Sequence, residues 1–521
     1  MARLTDDVNY SDILVGALNR YPTRDAFVHG DRRITYAETA DTISTIMQVL
    51  VARGITRGRA ISMLSSNVPE VWMVQAAAYL IGAQYSGLHP LGSPDDHAFI
   101  CQDAGVEVII AHPDYVGAAL SVAERAGSVR EVLALGPSSD APDLLGLAAH
   151  HSGQRLTRRT IDAEDVHWIA YTGGTTGRSK GVKIPDRALV QSAQSVTTSL
   201  GLPEVPRFLA VAPISHAGVL PIMPTLVRGG TVVVQKAFDP DQWLRTVQDE
   251  HINWSFVVPT MLHTLLDRGE PKRFDLSSLE TIMYGSSPMS PARISEAHEV
   301  LGPVLLQAYG QTECVSFATT LRKDEHQPLL NPERLSSCGR AVLGMRVEIL
   351  DDSGEPVETG QIGEICVRGR GVMSGYHNLP DEAAKALAGG WLHTGDLATQ
   401  DEDGFVYIVE RAKDMIITGG FNVYSREIED VISRDPSVSS VAVIGVPDRK
   451  WGEAVTAIVV PRPGSSIDTE HLVNLVREKK GSHQAPKSIE VVDQLPVTAV
   501  GKIDKKSLRS KYWDGHDRLV N

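Results

Sequence analysis

Short, mostly apolar runs alternate with helix-period stretches along much of this chain, and that alternation limits what it can fold into. Residues 60–64, 106–111, 129–135 and 231–235 have strand length and strand-like composition. Residues 39–53 carry Ile43, Ile46, Met47 and Leu50 at helical spacing, and 68–81 reads as a second helix closed by Gly82. Strands separated by helices pair in parallel, because the helix carries the chain back across the sheet and covers its face. The expectation is an α/β chain of parallel sheets covered by helices.

The pattern changes twice. Around Gly344 it becomes a series of short strands, 346–350, 364–368 and 405–409, separated by turns such as Asp352-Ser353-Gly354 and Asp403-Gly404. This predicts a β-rich subdomain over about 340–411. After Ala412 come a short helix (426–434), two strands (441–446, 455–460), a helix (470–480) and a strand (489–492). That is a compact α+β unit of about 100 residues, an ordinary domain size. A chain of 521 residues exceeds what one core supports. The expected division is a large domain over 1–411 and a small one over 412–521.

Hydrophobic residues make up 42% and charged residues 22%, as in a globular enzyme. The net charge is −14 and no basic run appears, which argues against nucleic acid as a partner. An anionic substrate must then be held by local groups rather than by the overall field. The four cysteines, Cys101, Cys314, Cys338 and Cys366, lie far apart without metal-ligand spacing, so free thiols in a reducing cytoplasm are expected. No signal-peptide pattern opens the chain, and no stretch reaches the roughly 18–20 apolar residues that span a bilayer.

The densest chemical signal follows the buried-strand pattern of 166–170. It reads Tyr171-Thr172-Gly173-Gly174-Thr175-Thr176-Gly177-Arg178-Ser179-Lys180-Gly181. Glycines let backbone N–H groups approach an anion, the hydroxyls add donors, and Lys180 adds a charge. This is the composition of a polyphosphate cradle; a flexible turn of small residues is the alternative for the loop by itself. It is not a Walker loop, since Ser179 precedes the lysine and Gly181 follows it.

The loop resembles the phosphate-binding loop of the adenylate-forming superfamily, which contains acyl-CoA synthetases, peptide-synthetase adenylation domains and firefly luciferase. The resemblance continues in order through Tyr309-Gly310-Gln311-Thr312-Glu313, Trp391-Leu392-His393-Thr394-Gly395-Asp396 and Glu410-Arg411-Ala412-Lys413-Asp414. It goes on through Gly419-Gly420-Phe421-Asn422-Val423-Tyr424 and Glu427-Ile428-Glu429 to Leu495-Pro496-Val497-Thr498 and Gly501-Lys502-Ile503. Several motifs in one order are far more specific than any one of them.

The resemblance implies roles. ATP would meet Thr172 to Gly177, Lys180, Gly285-Ser286-Ser287 and Tyr309 to Thr312, with Thr312 on the α-phosphate. Glu313 would hold Mg²⁺, and Asp396 and Arg411 the ribose. Lys502 would bridge the carboxylate and α-phosphate as charge builds during adenylation. His216, Gly285 and Gly310 would line the acyl pocket, His216 as a gate. Lys413 would be the hinge on which a mobile C-terminal domain turns to present the Gly419-Gly420 loop to the pantetheine arm of CoA. Ser425 departs from the pattern: many relatives carry proline there, and its loss would soften that loop.

The implied activity is ligation of a fatty or aromatic acid to CoA through an acyl-adenylate, with ATP and CoA as co-substrates, by a monomer or homodimer. Loading of a carrier protein, a luciferase-like oxygenation and a non-catalytic nucleotide sensor are the other readings; the retained Lys502, Glu313, Asp396 and Arg411 weigh against a sensor.

Overall fold

In the computed structural model, residues 8–172, 179–267, 269–315, 317–418, 421–498 and 501–513 are described. The Gly173 to Gly177 stretch of the phosphate loop and Gly419-Gly420 lie outside them, as does the side chain of Lys413.

The helix expected over 39–53 runs from Tyr36 to Ala52, three residues earlier, because Thr35 and Glu38 form a capping box. The helix Pro69–Leu80 is buried along its whole length, with Trp72 in its first turn. It therefore shows no amphipathic face and lies inside the molecule.

Two helix-covered sheets dominate. In the nine-stranded sheet, the run Leu305–Tyr309, Thr281–Gly285, Trp254–Val257, Arg207–Ala210, Thr231–Val234, Asp25–His29 is parallel throughout, with antiparallel strands at both edges. In the six-stranded sheet, Glu131–Ala134, Val106–Ala111, Ala60–Leu64, Gln84–Leu88 and Val166–Thr172 are parallel, and Lys180–Pro185 returns antiparallel. The parallel strands expected from the sequence are all here, buried on both faces as their composition requires.

An antiparallel four-stranded sheet, Met345–Leu350, Gly363–Gly369, Leu392–Gln400 and Val406–Arg411, follows. Beyond it lies a five-stranded sheet built on the long hairpin Val438–Asp448 and Gly452–Pro461, with helices Ser425–Ile432 and Thr469–Lys480 packed on it.

Candidate active site

In open α/β sheets, ligands bind beyond the carboxyl ends of parallel strands. Several of the singled-out segments begin there: Thr172 ends one strand, Gly285 another and Tyr309 a third.

Thr172 and Lys180 face each other across an antiparallel pair, so the phosphate loop joins two paired strands. The Lys180 ammonium sits 2.9 Å from a Glu382 carboxylate oxygen and 5.1 Å from the centre of the Tyr376 ring. Tyr376 donates its hydroxyl to Glu313 at 2.9 Å. Tyr376 thus brings the loop lysine and Glu313 to one place. No motif pointed to it, because it lies in an irregular segment after Gly369; the isolated bridge between Val182 and Tyr376 is what positions it.

At the other end of the site, Asp396 is 4% exposed and fully engaged. The Tyr309 hydroxyl donates to it at 2.7 Å, the Gln311 amide at 2.9 Å and the Arg411 guanidinium at 3.1 Å. A buried carboxylate needs such partners. Burial and the Asp396 charge push the Tyr309 hydroxyl well above its usual range, so it stays a donor. The Asp396 charge raises Arg411 further. Asp396 is presented by a bulge within the strand Leu392–Gln400, with Gly395 at φ +72°. Glu364 holds that bulge by accepting the Gly395 N–H at 2.7 Å and facing His393 Nδ1 at 2.7 Å. Glu364 was also invisible to motif reading, since it lies on the neighbouring strand.

Gly285 leaves no space for a side chain: a Cβ there would come within 2.3 Å of the Ala308 carbonyl oxygen. Ser286 follows at φ +72°, left-handed backbone that a serine rarely adopts. Ser287 is half-buried beside it, and Gly310 and Thr312 lie in the turn after Tyr309. Behind this corner the His326 imidazole, pushed down to about 4 by burial, donates Nδ1–H to the Arg322 carbonyl and accepts from Tyr284.

His216 follows the strand Arg207–Ala210, and its Nδ1 lies 2.9 Å from the Ser215 hydroxyl. Burial, with His89 and His97 nearby, pushes its pKa down to about 3, so the ring is neutral. All four cysteines are free and buried, and burial raises the thiols to about 11 for Cys338 and about 12 for the others. Such thiols are poor nucleophiles. A cavity of about 570 Å³ is bordered by Leu200, Leu306, Arg322 and Arg340 and touches none of the residues that the motifs named.

Lys502 belongs to the C-terminal sheet's last loop. The Gly501 carbonyl beside it accepts a 3.0 Å hydrogen bond from the Thr260 hydroxyl, just beyond the end of the strand Trp254–Val257. The structure therefore brings the Lys502 segment to the same sheet edge as Gly285 and Tyr309.

The Gly419-Gly420 loop that Ser425 is expected to soften lies outside the described residues, but Ser425 itself is firmly held. It is fully buried, its N–H and hydroxyl both donate to Glu410 (2.6 and 2.5 Å), and Lys505 approaches the hydroxyl at 2.7 Å. A proline would lack that N–H.

Residues 15–377 match the model of the AMP-binding enzyme family, and residues 427–502 that of the AMP-binding enzyme C-terminal domain. The chain belongs to the AMP-binding enzyme family. It is 44% identical to the medium/long-chain-fatty-acid–CoA ligase FadD8 of Mycobacterium tuberculosis, over 98% of this chain and 91% of that protein. It is 35% identical to a feruloyl-CoA synthase of an Amycolatopsis species, over 94% and 96%. Among solved structures, the amide bond synthetase McbA from Marinactinospora thermotolerans superposes with a TM-score of 0.89 at 34% identity, over 96% and 99%. The fold is that of the adenylate-forming enzymes, and the chain is an AMP-forming acid–thiol ligase with ATP and CoA as substrates. Among the described residues, no helix is long and apolar enough to cross a membrane.

Proposed function

We propose that this enzyme joins a fatty acid of medium or long chain to CoA in two half-reactions, with an aromatic acid as the second substrate class. The observation that carries the reading is the meeting of the Thr172–Lys180 strand pair, the Asp396 cluster and the Gly501–Lys502 segment around strand ends of the two large sheets. The choice of acid rests on the greater identity to the fatty-acid ligase than to the feruloyl ligase.

In the first half-reaction a carboxylate oxygen attacks the α-phosphorus of ATP. The bond to the bridging oxygen breaks and pyrophosphate leaves. Lys180 exchanges Glu382 for a phosphate, Thr312 contacts the α-phosphate, and Asp396 and Arg411 hold the ribose. Lys502 offsets the charge that builds between carboxylate and phosphate, a role suited to a compact ammonium. Glu313 fits Mg²⁺, which takes one or two carboxylates together with substrate phosphates; the ion would neutralise phosphate charge. In the second half-reaction the CoA thiol loses its proton to solvent and attacks the acyl carbon, and AMP leaves with the electron pair of the broken C–O bond. Positioning and electrostatics carry both steps, in keeping with thiols that burial keeps protonated.

We assign residues 1–411 and 412–521 to separate domains hinged at Lys413, the loop Gly419-Gly420 to the pantetheine path, and Gly285, Gly310 and His216 to the acyl pocket. The neutral His216 imidazole suits an apolar acyl entrance. We place the enzyme in the reducing cytoplasm, where four free thiols persist, as a monomer or homodimer.

The test is pyrophosphate release with Mg-ATP over a panel of fatty and aromatic acids, with and without CoA. Acid-dependent release with AMP and acyl-CoA formed only when CoA is present supports the reading. Release without acyl-CoA under any condition overturns the acceptor. The likeness to an amide bond synthetase over nearly the whole chain favours an amine as the second acceptor to try.

A further inference from the structure

The Lys502 segment is held at the site by contacts that no motif records. The helix Pro259–Asp267 runs along the face where the C-terminal sheet docks, and both of its ends are used. At its start, Thr260 donates to the Gly501 carbonyl. Gly501 has φ +79°, and a Cβ there would press to 3.1 Å from Val258 and 3.2 Å from the Thr260 hydroxyl, so the approach needs glycine.

At its end, Asp267 accepts from the Ser439 hydroxyl of the C-terminal hairpin at 3.1 Å. Beside it, Glu296 on the helix Pro291–Leu301 receives both guanidinium nitrogens of Arg462, at 3.1 and 3.3 Å. The two carboxylates are held in place from behind by Arg293, 2% exposed, which donates to Asp267 at 2.8 Å and to Glu296 at 2.7 Å. Burial by itself would raise the Glu296 carboxyl, but Arg462 and Arg293 outweigh it and hold it below the usual range.

We propose that Thr260 and the Arg462–Glu296 pair are positioning residues for adenylation: Thr260 holds the C-terminal domain at the start of the helix Pro259–Asp267, and Glu296, on the neighbouring helix Pro291–Leu301, holds it beside that helix's far end, so that Lys502 stands at the reacting phosphate. This rests on the role given to Lys502 above. Two separated attachments fix orientation as well as distance, and misplacement of a charge by an ångström is costly in such a reaction. Thiol attack on a finished acyl-adenylate expels no pyrophosphate, so it does not depend on this arrangement.

The experiment uses full-length Thr260→Val, Thr260→Ser and Arg462→Gln, each checked for an unchanged melting temperature. Acyl-AMP formation is read as single-turnover pyrophosphate release with dodecanoate, or with whichever acid of the panel is fastest. Thioester formation is read from supplied acyl-AMP and CoA. Losing one such bond lowers the first rate ~5–10-fold, with KM for ATP and the second rate unchanged and Thr260→Ser restoring the rate. In a Lys502→Ala background, Thr260→Val then has no further effect, because the group it positions is gone. Equal loss in both half-reactions, or additive loss in the Lys502→Ala background, overturns the proposal. A wild-type protein that forms no acyl-AMP with any acid overturns the function on which it rests.

Discussion

The two ends of the site are built differently. Asp396 is enclosed by three donors, Tyr309 and Gln311 from one motif segment and Arg411 from the neighbouring strand, and Glu364 secures the bulge that presents it. The Lys502 segment reaches the site through a hydrogen bond at Gly501, backed by a bidentate ion pair and one hydroxyl contact farther along the docking face. Surface ion pairs and single hydrogen bonds are worth on the order of 1 kcal/mol each, whereas a buried carboxylate with three partners is costly to disturb. On the roles proposed above, the Asp396 end would be a permanent surface and the Lys502 end one that can be withdrawn.

The largest effect should come from removing the withdrawable charge. Lys502→Ala should slow acyl-AMP formation ~10²–10³-fold, while nucleotide titration by fluorescence shows ATP binding nearly unchanged. A parallel loss of ATP binding would show that Lys502 belongs to the permanent surface. Asp396→Asn should do the reverse. It leaves Arg411 without its carboxylate and raises KM for ATP ~10–100-fold, with a smaller change in kcat.

A third test asks whether the permanent end extends under Gly285. His326 is neutral because burial lowers its pKa to about 4. The unfolded chain takes up a proton below about 6.5, so this contribution is complete above that pH and is lost as pH falls toward 4. Denaturant melts should therefore show about 1 kcal/mol lost between pH 6.5 and 5.5 from this group, and His326→Leu should flatten that limb. The smallest effect expected is for Glu364→Gln. It weakens the hold on Gly395 and should raise KM for ATP ~3-fold, without changing thioester formation from supplied acyl-AMP.

Much of this molecule could be read along the chain. Buried strands such as 106–111 announce themselves by continuous apolar composition, and the turn after Tyr309 by its motif. Helix starts were less legible, as at Tyr36, where the cap at Thr35 sits before the apolar periodicity begins. Ser425 was legible only as a departure from proline; the N–H that it gives to Glu410 shows only in the fold.

The sequence by itself determined the class of chemistry: which phosphate donors, which carboxylates and which lysine the chain carries, in an order that chance does not reproduce. Only the tertiary structure decided how they are held. Tyr376 reaches Glu313 across 63 residues, Tyr309 reaches Asp396 across 87, and Thr260 reaches Gly501 across 241. Such partners share no local period or turn, because they lie on different strands and loops whose nearness is set by sheet order and domain docking. Motifs record chemistry that neighbouring residues share, and supporting contacts exist only once the chain has folded.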